Sequence, residues 1–160
     1  MNEFVKQVLR ARQDRAILAE LEALYAQVDD QIDQLEPKCM GGGACCKFDL
    51  AGHRLYVSTI ELALLTTASP CNPEKLGLGR CPYQQGPRCT ARRCRPLGCR
   101  TFFCQETTTK PCQEIYEGSH EIIRRLHESA QIEYTYIDLI SALVALFGFE
   151  GVSVGKTDWK

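Results

Sequence analysis

This chain of 160 residues has almost no net charge and no long apolar run. A formal net charge of −1 gives no overall field to draw it to nucleic acid or to an anionic membrane. The longest apolar stretch, from Leu139 to Phe149, is too short to span a bilayer and follows Asp138. The first residues, MNEFVKQVLRARQDR, contain neither an apolar signal segment nor a small-residue cleavage site. No membrane association and a cytoplasmic location are expected. There is no G-x-S-x-G, no H-E-x-x-H and no P-loop, so the familiar hydrolase and phosphate-cradling signatures are missing. No internal repeat of whole elements stands out.

What the chain does have is cysteine, ten in all. In a reducing compartment such clusters are metal sites more often than disulfides. Charge is also uneven. From Lys75 to Gln105 there are seven basic residues and no acid, whereas from Met1 to Glu36 there are eight acids and four bases. The cysteine-rich part is locally cationic.

Residues 3–36 read as one long helix. Ile17, Leu21, Leu24, Val28, Ile32 and Leu35 follow a 3-and-4 spacing and form one apolar stripe, with no glycine or proline until Pro37. That stripe packs on the rest of the domain, or alternatively serves a protein partner. The segment KCMGGGACCKF (38–48) must be a loop, since three consecutive glycines let the backbone fold tightly beside whatever the cysteines hold. HRLYV (53–57) suits a short strand. STIELALL (58–65) opens with a capping box, Ser58 with Glu61 three residues on, and that helix should end near Thr67. Between 70 and 111, six prolines forbid a long helix. So long a stretch without regular structure needs something else to order it, and a thiolate-bound metal would do so.

From Cys112 onward helices resume, one carrying Ile115, Ile122, Ile123 and Leu126, the next carrying Ile137, Ile140, Val144 and Phe147. Gly148 stops the last. A single domain is expected: an amphipathic helix over 1–36, a cysteine-cluster region over 37–112, helices over 113–150 and a tail over 151–160. The fold class is mainly α, helices surrounding an irregular, metal-ordered cysteine loop core with little or no β.

The candidate metal ligands fall into two groups. Cys39, Cys45 and Cys46 lie on the glycine loop; Cys81, Cys89, Cys94, Cys99 and Cys104 lie on the proline-rich loops, flanked by Cys71 and Cys112. Thiolates are soft donors that suit zinc or an iron–sulfur cluster. The last four of the second group recur every fifth residue. On a helix that is an advance of about 140°, and on a strand an odd spacing flips the face. Cys89 and Cys99 therefore tend to one side and Cys94 and Cys104 to another, as two interleaved pairs. The vicinal Cys45-Cys46 pair fits a cluster or two neighbouring sites better than one small ion. His53 follows Cys46 closely enough to reach the loop site, while His120 and His127 share a helix face too far apart to chelate together.

These motifs resemble the YkgJ-like cysteine-cluster family, described as zinc- or iron-chelating proteins. CMGGGACC is similar to its C-x2-C-G-x-C-C motif at Cys39, Gly43, Cys45 and Cys46. CPYQQGPRCTARRCRPLGCRTF resembles its second motif at Cys81, Pro82, Cys89, Arg95, Pro96, Cys99, Arg100 and Phe102. The chain departs in having Gly42 where the family has a second cysteine and Arg92 where it has a tyrosine; Cys94 and Cys104 are additions. The resemblance implies a metal-binding protein holding an iron–sulfur cluster or zinc. Some members look like part of a protein lysine methylase, which gives an enzyme component as one alternative. A zinc-stabilised nucleic-acid or protein adaptor, using the arginines between Arg80 and Arg100, is another. The absence of C-x2-C knuckles and interleaved aromatics disfavours nucleic acid.

Overall fold

The computed structural model describes residues 2–38, 43–52, 54–102 and 109–148. The expectations for Cys39, His53, Cys104 and the 151–160 tail lie outside the described residues. The protein is mainly helical with little strand. None of the described helices is long and apolar enough to cross a membrane.

The expected helix over 3–36 is two helices, α1 (Glu3–Gln13) and α2 (Arg15–Gln34). Asp14 breaks it. Its backbone leaves the helical region, its N–H donates to the Ala11 carbonyl (3.1 Å), and its side chain accepts from the Ile17 N–H (3.1 Å). Asp14 thus caps α2, a role that short acidic side chains fill without any glycine or proline. The break lets the two stripes face different neighbours: α1 packs on α4 (Thr59–Ala68), and α2 packs on α6 (Thr109–Ala130), α4 and α5 (Leu97–Thr101).

A short helical turn, α3 (Phe48–Ala51), leads to β1 (Tyr56–Ser58), which runs straight into α4 (Thr59–Ala68). The capping box at Ser58 and Glu61 is present as the sequence predicts. Helix α4 is the centre of the molecule: every residue from Thr59 to Leu65 is buried, as an apolar helix with no polar face requires.

The proline-rich segment holds a two-residue hairpin, β2 (Gln84–Gln85) with β3 (Arg88–Cys89), and the one-turn helix α5 (Leu97–Thr101). Helix α6 (Thr109–Ala130) begins before Pro111 rather than after it. Proline fits the first turn of a helix because the N–H groups there have no intrahelical acceptor to lose. Then β4 (Tyr136–Asp138) pairs antiparallel with β1, Val57 opposite Ile137, and feeds α7 (Leu139–Phe147), which ends at Gly148 in the left-handed conformation. Two strand–helix units, Tyr-Val-Ser then α4 and Tyr-Ile-Asp then α7, are thereby joined back to back, each strand ending in a helix-capping residue.

His127 fastens α6 to the start of α4. It is 1% exposed; its Nε2 accepts from the Ile60 N–H (3.3 Å) and its Nδ1–H donates to the Ile123 carbonyl (2.9 Å). Burial holds its pKa below the usual 6.5. The unfolded chain therefore binds a proton at higher pH than the folded one. The stability that neutral His127 contributes is complete above about pH 6.5 and is lost as pH falls below it, by at most about 1.4 kcal/mol per pH unit. Urea unfolding at pH 7.5 and 5.5 should show this loss, and His127→Gln should flatten it.

Candidate metal centre

Three segments converge on one cavity. The first is the turn Ala44–Cys46, entered through Gly43 at φ +65°. The Gly43 carbonyl accepts from Gln84 Nε2 (2.9 Å), and a Cβ on Gly43 would stand 2.6 Å from that nitrogen. Conformation and space both demand glycine there. The second is the 81–89 hairpin, joined to the first where the Cys81 N–H donates to the Cys46 carbonyl (2.7 Å). The third is Arg95-Pro96 and α5, which carries Cys99.

Buried polar side chains hold the third segment. Glu61 accepts from the Ser58 N–H (2.9 Å), the Leu97 N–H (2.9 Å) and the Tyr25 hydroxyl (3.1 Å). Arg100 lies over the Tyr25 ring at 4.1 Å. It donates to the Arg95 carbonyl (2.8 Å), the Arg93 carbonyl (2.7 Å) and the Asp29 carboxylate (2.6 Å). The guanidinium fork thus fixes the loop that places Cys99. Burial, with Glu61 adding to it, raises Tyr25 well above its ordinary pKa, so it stays a donor.

The cavity is about 910 Å³, and Cys45, Cys46, Cys81, Cys89 and Cys99 all line it. The Cys45 and Cys46 thiols influence each other's titration, as do those of Cys46 and Cys81. Cys45 is raised by its bond to Cys46 and by burial. Cys46 stands at about 11: the hydrogen bond from Cys45 lowers it, and the Cys81 thiol and burial outweigh that. Cys99 is raised by burial and by the neighbouring Cys46, against a lowering by Arg95. Without a metal these thiols stay protonated near neutral pH. Among the described residues no three histidine, cysteine, aspartate or glutamate side chains are grouped tightly enough to hold a metal ion as they stand.

Cys94 is elsewhere. Its sulfur is buried 3.1 Å from the Ser69 hydroxyl and donates to the Ala91 carbonyl (3.5 Å), and it does not line the cavity. Cys89 and Cys99 share the cavity, and the residue midway between them faces the core. Cys71 is half-buried beside Tyr83.

The cavity also has walls that the cysteine spacing did not announce: Cys112 and Tyr116 from α6, and Tyr136 from β4. The Tyr116 and Tyr136 hydroxyls hydrogen-bond to each other, and His120 bridges Tyr116 (3.2 Å) and Tyr134 (2.6 Å). His120 is thus engaged with tyrosines and His127 with backbone. The i, i+4 spacing of Cys112 and Tyr116 puts them on one helix face, a signal visible in sequence but uninformative until α6 is placed. Comparison with family models, with curated proteins and with solved structures finds no match for this chain.

Proposed function

We propose that this protein binds a thiophilic metal centre, an iron–sulfur cluster in preference to zinc, with Cys45, Cys46, Cys81, Cys89 and Cys99 as the described donors. The observation that carries this reading is that six thiols line one cavity, these five from three sequence-distant loop segments and Cys112 from α6. Two features add to it. The Nε of Arg95 is buried with no partner among the described residues, beside thiols whose negative charge it would offset once they ionise. No carboxylate is among the described lining residues, so the donor chemistry is soft and suits iron–sulfur or zinc rather than calcium or magnesium. The resemblance of the two cysteine motifs to the YkgJ-like family points the same way.

The thiols are not drawn to coordination distance, so loading entails closure of these side chains as well as occupation. Cys39 and Cys104 remain part of the proposed set on the sequence pattern. The protein's own contribution is to gather the donors, exclude water with the apolar walls and balance thiolate charge with arginine. The bound centre would supply electron transfer, iron handling or structural order.

Anaerobic expression followed by visible absorption and quantification of iron, zinc and acid-labile sulfide tests this. The expected result is a thiolate-to-iron absorption band with iron and sulfide in near-equal amounts. Zinc alone would keep the metal reading and remove the cluster. No metal of either kind, even after anaerobic reconstitution, would overturn it.

A further inference from the structure

The cavity is larger, and more positively charged, than a metal centre alone requires. Its volume of about 910 Å³ lies in the roughly 300–1,000 Å³ range of small-molecule sites. Four arginines line it, Arg54, Arg88, Arg92 and Arg95, and no aspartate or glutamate is among its described lining residues. None of the four enters an ion pair with a described residue; the recorded pairs are Arg100–Asp29, Lys6–Glu3 and Arg125–Glu121. A zinc or four-iron centre held by four of these thiolates, the remaining thiols staying protonated, carries a net charge of about −2. The arginines exceed that by about two positive charges, so the metal centre leaves part of the cationic lining unanswered.

The rest of the wall is apolar. Leu55, Leu65 and Leu139 line it, with the stacked rings of Tyr56 and Tyr136, 5.4 Å between centroids. We infer that the cavity binds an amphiphilic organic anion, its acidic head against Arg88, Arg92 and Arg95 at the thiol end and its apolar body along Leu55, Leu139 and the tyrosine pair. An apolar chamber with a few convergent charged groups is how proteins hold such molecules, and an uncompensated arginine cluster selects carboxylate or phosphate over a neutral head. This rests on the metal-binding reading for the charge at the thiol end, and it deepens that reading by naming a second occupant.

The test uses the full chain in zinc-loaded and chelator-treated forms, with zinc content measured on the same samples. The probe is 8-anilinonaphthalene-1-sulfonate, an apolar ring system bearing one negative charge. Saturable fluorescence enhancement at one probe per chain is expected. Decanoate or decyl phosphate should displace the probe, whichever does so better naming the head group, and decanol should do so at least tenfold less well. The paired substitution Arg88→Gln and Arg92→Gln removes two exposed charges. It should weaken the probe about tenfold without moving the unfolding midpoint. Unsaturable or multiple binding, equal displacement by decanol, or unchanged affinity in the arginine variant would overturn the inference. If zinc binds and the probe does not respond, only the organic-anion inference falls. If the probe responds as stated and no metal binds, the metal reading falls and the anion site stands.

Discussion

Cys99→Ser is expected to reduce the metal content of anaerobically prepared protein to less than a tenth, while Cys94→Ser leaves it unchanged. The two residues are five apart and chemically identical. They differ in what their sulfurs meet. Cys99 lines the cavity with five other thiols, whereas Cys94 is spent on the Ser69 hydroxyl and the Ala91 carbonyl. A serine at 94 keeps a donor and an acceptor there and should cost about 1 kcal/mol of stability. Elemental analysis and the visible spectrum decide, with helix content by circular dichroism as the folding control. Metal loss in Cys94→Ser would return that residue to the ligand set. Loading should also strengthen with pH. The Cys45, Cys46 and Cys99 thiols all titrate above the ordinary thiol range, so the metal must displace protons, and displacement of more than one makes affinity rise more than tenfold per pH unit. Competition with a chelator at pH 6 and 8 measures it; a pH-independent affinity would mean that the thiols are not the ligands.

Glu61→Ala should destabilise the fold by about 4 kcal/mol, one of the largest losses available to a single substitution here. Glu61 is 2% exposed and is the shared acceptor for the start of its own helix, for the Leu97 N–H and for the Tyr25 hydroxyl. Its removal leaves two backbone donors and a phenol buried without acceptors. Tyr25→Phe deletes only one of these bonds and should cost about 1 kcal/mol. Because Leu97 begins the helix that carries Cys99, Glu61→Ala should also lower metal affinity in whatever fraction remains folded. Denaturant unfolding of the three proteins checks the order. Equal losses for Glu61→Ala and Tyr25→Phe would mean that the Leu97 and Ser58 contacts contribute nothing.

Local chemistry made several features legible. The capping box at Ser58 and Glu61, the stop at Gly148 and the lack of any long helix over the described residues 70–102 each depend on neighbouring residues alone. So did the phase difference that separates Cys94 from Cys89 and Cys99. The departures are also local. The helix expected over 3–36 breaks at Asp14, because a capping aspartate and an exposed one look alike until the chain must turn. Pro111 lies inside α6, because the same ring that breaks a helix interior suits its first turn. The Tyr116–Tyr136 wall needed β1 and β4 to pair across some 80 residues, which no spacing announces.

By itself the sequence determined the helical class and the soft donor chemistry of ten cysteines, because periodicity, capping and thiol softness are properties of short segments and single side chains. Only the tertiary structure decided which thiols share a cavity, that arginine without carboxylate lines it among the described residues, and that Glu61 ties the cysteine loops to the helical core. Those are outcomes of long-range packing. A cavity exists only between segments, and a buried charge acquires its partners only when distant backbone arrives beside it.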